Sequence, residues 1–347
     1  MYKKFFMGIA AMAALTLVSC SSDDLNSLSD NSSKNEAISF DGYLGRSAVA
    51  VNGSRGSVET KEKLKTDGFG VFGNYTSTDV TTTTYGENLF KNQKVTYEAT
   101  AETPAWTYKP VKYWSPAGHI DFLAYAPFDG NQKLKESSKL DFTVNSTITA
   151  QKDLLWANAA NKTKTDKPIT FTFKHALSRL GYTVKTSAAA EGTTITLNQI
   201  TLAGSNDGTK GAFYSAGTID LSKTSSTDLW TNLNSDTKLK FDWVSSNKEL
   251  SSNQTKNDET EYLFVIPQDF SQKTTSADVL YVVVEYTISY SDQTTMKTKV
   301  YKQLDKEFEQ GKAYTINLNI GLTPIEFNAE VNDWDPKDGE SIDASWN

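Results

Sequence analysis

The sequence predicts an all-β protein of two tandem antiparallel sandwiches. Three observations lead there. Short runs of β-branched and aromatic residues recur along the chain, many of them alternating with Thr, Asn or Lys. Turn residues separate these runs at short spacing. Helical periodicity is nearly absent; only 153–161 and 175–180 offer short candidate helices. A length of 347 residues fits roughly two domains. A hydrophobic content of 38%, with 12% aromatics, fits packed cores rather than disorder.

The first segment is not part of that fold. Residues 1–19 read as a signal peptide: Lys3 and Lys4, then an apolar run of 14 residues from Phe5 to Val18. That run is too short to span about 30 Å of hydrocarbon as a helix. Leu17-Val18-Ser19-Cys20 resembles a bacterial lipobox, in which cleavage leaves the cysteine first in the chain and acylated. Two or three acyl chains, at about 0.8 kcal/mol per buried CH₂, anchor a protein stably. Cys20 is the only cysteine, so no internal disulfide is available. Residues 20–36 are rich in Ser, Asn and Asp and form a tether. Their start, Ser21-Ser22-Asp23-Asp24, resembles the acidic surface-export signal of Bacteroidota lipoproteins.

The strands follow in order. Ala37-Ile38-Ser39-Phe40 is a short apolar strand, and 41–66 reads as an exposed polar loop carrying Arg46 and Arg55. Gly68 to Gly73 is a strand between glycines. The runs 107–114 and 120–126 flank the turn Ser115-Pro116-Ala117-Gly118. Ile169, Phe171 and Phe173 alternate with threonines. Between Leu197 and Ile200 the apolar parity shifts, which predicts a bulge or a turn. The runs 280–290 and 296–301 form a hairpin across Ser291-Asp292-Gln293. Tyr314, Ile316, Leu318 and Ile320 alternate with polar residues. After a turn at 321–324, so do Ile325, Phe327, Ala329 and Val331. A domain boundary is placed at Asp166-Lys167-Pro168, dividing an N-terminal sandwich, 37–167, from a C-terminal one, 168–347.

Several function classes lack their parts. The net charge is −7; removal of the signal takes Lys3 and Lys4 and leaves 33 basic against 42 acidic residues, or −9. With three arginines (Arg46, Arg55, Arg179) and no basic cluster, the chain is not built for nucleic acid. His119 and His175 are the only imidazoles. His119 shares a strand face with Asp121, but no nucleophile motif accompanies either one. There is no Cys/His cluster for zinc. The acidic stretch 332–340 fails as a calcium loop because Lys337 occupies the position of the third oxygen ligand. No catalytic, metal or cofactor site is therefore expected. The seven tryptophans are spread along the chain, as core packing distributes them.

Read together, these residues resemble a known family. Behind the lipobox come Ile38-Ser39-Phe40, Phe69-Gly70-Val71-Phe72, and Tyr113-Trp114 with Ile120 to Pro127. Then follow Asp153-Leu154-Leu155-Trp156-Ala157, Phe171 to Leu180, Tyr262 to Gln268, Phe308 before Gly311-Lys312-Ala313-Tyr314, and a closing Val331 with Trp334. The order is similar to that of the fimbrillins, subunits and accessory proteins of type V pili in Bacteroidota. The resemblance implies two tandem transthyretin-like β-sandwich domains and an outer-membrane lipoprotein precursor held by a lipid on Cys20. It also implies an arginine-specific or trypsin-like protease that cuts in the loop past the first strand. Arg46, before Ser47, matches the cut position, and Arg55 is a second candidate. The first strand then leaves, and a donor strand from the next subunit fills its groove. Here that strand is 323–334, with Ile325, Phe327, Ala329 and Val331 on one face. Head-to-tail insertion of this kind grows a filament of fimbrillin subunits and does not close. Two other functions compete: a resident surface lipoprotein, tip or anchor that binds glycan or a host ligand without polymerising, and a lipid-anchored hydrolase. Arg46 in an exposed loop and the alternating C-terminal strand favour the pilus subunit; the missing nucleophile motif disfavours the hydrolase.

Overall fold

The computed structural model describes residues 36–44, 58–78, 82–100, 103, 105–186, 192–244, 247–253, 255–256, 261–272, 278–321 and 326–333, the last segment as backbone. Nearly all of this is strand. Among the described residues the only α-helix is α1 (Lys61–Asp67), and one 3-10 turn covers Ile148–Ala150.

The first sheet draws on β1 (Phe40–Leu44), β2 (Phe69–Thr76), β3 (Phe90–Glu98), β4 (Ala105–Thr107), β5 (His119–Ala126), β7 (Leu155–Lys162) and β8 (Ile169–His175), in the order β1-β8-β7-β5-β2-β3-β4. β6 (Lys139–Thr143) leaves it for a sheet further on. Both faces of the seven-stranded sheet are covered. Phe69, Val71, Phe122, Ala124, Leu155 and Ala157 enter one core; Phe72, Leu123, Tyr125 and Trp156 enter another. All eight residues of β5 are consequently buried. The same double burial explains why 153–161 reads as a helix in sequence. Leu155, Trp156 and Ala157 are apolar in succession because the strand has no wet face.

The C-terminal half begins with β9 (Ser178–Thr186) and β10 (Thr193–Ala203). Short pairs follow: β11 (Phe213–Tyr214), β12 (Ala216–Asp220), β13 (Trp230–Thr231), β14 (Lys238–Leu239), β15 (Phe241–Val244), β16 (Lys248–Glu249), β17 (Thr255–Lys256), β18 (Leu263–Val265) and β19 (Gln268–Asp269). The chain ends in β20 (Tyr281–Tyr290), β21 (Thr295–Gln303), β22 (Glu307–Phe308), β23 (Lys312–Ile320) and β24 (Glu326–Asp333). One sheet runs β15-β10-β20-β21, with β16 beside β10; the other runs β17-β9-β23-β24, with β18 beside β9. Ile195, Leu197 and Val284 from the first sheet share a core with Tyr182, Ile316 and Leu318 from the second, so this half is a sandwich. The register of β10 against β20 slips between Leu197 and Gln199, at the expected bulge.

Several expectations need correction. The stretch 175–180 is also strand, not helix, from Ser178 onward. The first strand is Phe40–Leu44 rather than 37–40, so the stretch 41–66 expected as a loop opens inside β1; it also contains most of α1, whose Thr60 cap accepts a hydrogen bond from the Lys63 N–H, and Gly68, at φ 71°, ends that helix. The strand expected over 107–114 stops at Thr107. The sheets are not purely antiparallel, since β1–β8 and β9–β23 are parallel. β8 belongs to the first sheet and β9 to another, so sheet membership changes between His175 and Ser178.

Candidate functional site: the closing strand and the terminal strand

β1 owes its place to alternation. Ile38, Phe40 and Leu44 are buried, while Asp41 and Tyr43 face out. On one side β1 pairs in parallel with β8, from Phe40 opposite Ile169 to Leu44 opposite Phe173. On the other side its approach is held by the segment after β4. The Ile38 N–H donates to the Lys112 carbonyl at 2.8 Å, the Trp114 N–H donates to the Glu36 carbonyl at 2.8 Å, and the Tyr108 hydroxyl donates to the Ile38 carbonyl at 2.7 Å. β1 and β4 begin and end the sheet order yet lie in contact, so the sheet curls and β1 is the strand that closes it.

The inner face of β1 is an aromatic hub. The Phe40 ring meets Phe90 at 5.4 Å, Tyr108 at 5.2 Å, Phe122 at 5.5 Å and Phe171 at 5.7 Å between centroids. Room at Gly42 is tight: a Cβ there meets the Phe69 ring at 2.9 Å and the Phe173 ring at 3.3 Å. Withdrawing β1 therefore opens a groove lined by phenylalanines, with an unpaired edge of β8 beside it.

β24 is the last strand of its own sheet and pairs antiparallel with β23 along eight residues. Phe327, Ala329 and Val331 stand opposite Leu318, Ile316 and Tyr314, which are core residues. The terminal strand thus has a seat within its own chain. Cys20, Arg46, Ser47, Arg55 and Ile325 lie outside the described residues.

Set side by side, the two strands share a pattern that single-strand reading misses. Ile38-Ser39-Phe40-Asp41-Gly42-Tyr43-Leu44 and Ile325-Glu326-Phe327-Asn328-Ala329-Glu330-Val331 carry Ile, Phe, a very small residue and an aliphatic at the same alternate positions. The signal lay in the sequence, but it becomes visible only when burial shows which residues of β1 point inward.

Val58 and Glu59, just before α1, are both buried. The Glu59 N–H donates to Asp153 Oδ2 at 3.0 Å, and His175 Nδ1 lies 2.7 Å from the same oxygen. Burial pushes the Glu59 carboxyl up to about 9, helped by the nearby charges of Asp153 and Asp67. His175 is thus tied into a structural cluster. Asp121, beside His119, accepts the N–H groups of Thr84 at 2.7 Å and Asn161 at 2.6 Å, and so ties the segment before β3 and the end of β7 to β5. Among the described residues no group of three or more His, Cys, Asp or Glu is placed to hold a metal ion.

The fold and these two strands define a class: a β-protein whose first strand completes a curled sheet and whose last strand edges a sandwich. Comparison with known proteins gives the family. A profile described as fimbrillin-like matches residues 57–334, and the chain belongs to that family. No curated protein matches the sequence significantly. Among solved structures, a candidate cell adhesion protein from Bacteroides uniformis is similar at TM-score 0.51 and 18% identity, covering 86% of this chain and 99% of that one. A candidate cell adhesion protein from Bacteroides ovatus gives 0.48 at 16% identity, covering 87% and 99%. The tip fimbrial protein Mfa3 from Porphyromonas gingivalis, truncated at its C-terminus, gives 0.36 at 10% identity, covering 77% and 100%.

Proposed function

We propose that this chain is a subunit of a type V pilus, made as an outer-membrane lipoprotein on Cys20, cut after Arg46 and polymerised by strand exchange to support adhesion at the cell surface. Arg55 is the second candidate for the cut. The cut frees β1, and the C-terminal strand of the next subunit enters the groove. The observation that carries this reading is the shared pattern of β1 and the terminal strand. It sets a register: Ile325 in the place of Ile38, Phe327 in that of Phe40, Ala329 in that of Gly42, Val331 in that of Leu44. Such a strand restores the lost backbone pairs and refills the aromatic groove together, as β-augmentation does.

Protein cut at Arg46 should form a ladder of oligomers on a denaturing gel run without boiling. Phe327→Asp places a charge among phenylalanines, which costs several kcal/mol unless the charge is paired, and should abolish the ladder. Equal ladders from wild type and Phe327→Asp contradict strand exchange through this segment.

One observation favours a second reading, a resident adhesin, tip or anchor that keeps its lipid: β24 already has a seat on β23 of its own chain. The N-terminal residue of protein recovered from the cell surface separates the two. Ser47 belongs to the polymerising subunit, and acylated Cys20 to the resident protein.

A further inference from the structure

The place that β1 fills has a second wall opposite β8, the segment 108–114, and the polar groups of this wall are matched to β1 one by one. The Ile38 N–H donates to the Lys112 carbonyl, and the Trp114 N–H donates to the Glu36 carbonyl, both at 2.8 Å. Between the Lys112 N–H and the Ile38 carbonyl stands the Tyr108 hydroxyl. It accepts from the first at 3.2 Å and donates to the second at 2.7 Å. Tyr108 is buried, and burial pushes its hydroxyl up to about 12, so it stays a donor at neutral pH. Withdrawal of β1 leaves two donors and an acceptor on this wall without their partners, which is costly where they are buried.

The same bonds fix what can sit at each position. They make Ala37 and Tyr113 a non-hydrogen-bonded antiparallel pair, so the Ala37 N–H points away from this wall. It points to the side of β8, where pairing starts only at Phe40. A residue without an N–H therefore fits at position 37 and fails at position 38, where the Lys112 carbonyl takes one. Side chains of a non-hydrogen-bonded pair lie close together. Ala37 is small, and the Tyr113 ring beside it remains 55% exposed; Val111, two residues earlier, is 47% exposed.

We propose that the segment 108–114 is a specificity site that reads residues 323–325 of the terminal strand of a second copy of this chain. The assignment rests on the strand exchange and the register given above. In that register Thr323, Pro324 and Ile325 take the places of Glu36, Ala37 and Ile38. Ile325 brings the N–H for Lys112 and the carbonyl for Tyr108, and Thr323 brings the carbonyl for Trp114. Proline, with no N–H to give, falls at position 37, and its ring covers more of Tyr113 than alanine does. It also biases Thr323 toward the extended conformation that the pairing with Trp114 needs. A shift of one residue carries Pro324 to position 38 and leaves the Lys112 carbonyl without its N–H.

The test is a cross-link at this wall. An acceptor with Cys20→Ser and Tyr113→Cys, cut at Arg46, is mixed with full chain carrying Cys20→Ser and Pro324→Cys, and oxidised. The Cα atoms of a non-hydrogen-bonded pair lie about 4.5 Å apart, within disulfide reach. A disulfide-linked dimer in high yield is expected, and Val111→Cys in place of Tyr113→Cys should give little. Equal yields from the two overturn the proposal. Thr172→Cys paired with Glu330→Cys follows strand exchange itself, on the β8 side. A link there with none at Tyr113 overturns the specificity site and leaves strand exchange standing; no link at either place overturns both. Tyr108→Phe in the acceptor keeps the ring and removes the hydroxyl. It should lower the Tyr113 link about fivefold and the Thr172 link by less than about twofold, since only the first residues of the strand lose a partner. Equal loss at both places marks a general destabilisation and overturns the role of the Tyr108 hydroxyl.

Discussion

β1 and β24 are both terminal strands of their sheets, yet they are held differently. β1 is five residues long and gripped on two sides, by β8 and by the segment around Lys112. Its inner face is the centre of an aromatic cluster. β24 is eight residues long and has a single neighbour, β23. A short strand can therefore matter more to its core than a long one. What makes β1 costly to remove is where Phe40 sits; β24, among the described residues, pairs with β23 alone.

The largest expected effect breaks the comparison at its centre. Phe40→Ala should destabilise the uncut chain by about 3–5 kcal/mol, the usual range for deleting a buried phenylalanine. Phe327→Ala in the same uncut chain should cost less than half as much. Urea denaturation of both variants checks this, and equal losses contradict the asymmetry.

The next effect concerns the slot at Gly42. In the proposed register Ala329 takes this slot, where a Cβ built on Gly42 lies 2.9 Å from the Phe69 ring, so that ring must shift. Ala329→Phe should stop polymerisation of the cut protein, and Ala329→Gly should not slow it. Ladder formation over time measures both.

A third effect lies just before α1, where polar atoms do the holding. Glu59 keeps its proton in the folded chain, with a pKa raised from 4.5 to about 9. Between those values the native state binds more protons than the unfolded one, so stability is complete below 4.5 and falls as pH rises toward 9. The slope is at most about 1.4 kcal/mol per unit. The groups around Glu59 are Asp153, Asp67, Lys63 and, through Asp153, His175. Glu59→Gln should remove most of this decline between pH 5 and 8, as denaturation at the two pH values will show.

The smallest effect is on the opposite face of the terminal strand. Glu326→Gln should leave the ladder unchanged and shift stability by less than about 0.5 kcal/mol.

Sequence showed well the strands whose one face is drier than the other. Ile169 to His175 and Lys312 to Ile320 alternate nearly without fault, and the bulge near Leu197 announced itself by a change of parity. Sequence failed where that contrast vanishes. Leu155 to Ala157 is buried on both faces and loses its period of two. The helix α1 is seven residues with one buried leucine, too short to show a stripe. β8 joins the first sheet through β7, Leu155 opposite His175 and Trp156 opposite Lys174, while its other neighbour, β1, lies more than a hundred residues away in the chain, which no local pattern reports. The aromatic groove was legible as residues but not as a groove, since Phe90, Tyr108, Phe122 and Phe171 come from four separate segments.

The central claim is that the terminal strand of one subunit takes the place and register of β1 in another. In β1, Tyr43 stands opposite Thr172 of β8. In the proposed register Glu330 takes the place of Tyr43. Two proteins carrying Cys20→Ser, one with Thr172→Cys and cut at Arg46, the other with Glu330→Cys, should form a disulfide-linked dimer when mixed and oxidised. A one-residue slip turns Glu330 to the opposite face and removes the link. A dimer that forms in high yield, and that fails when Asn332→Cys replaces Glu330→Cys, is the predicted result. No dimer, or equal yields from both positions, contradicts the account.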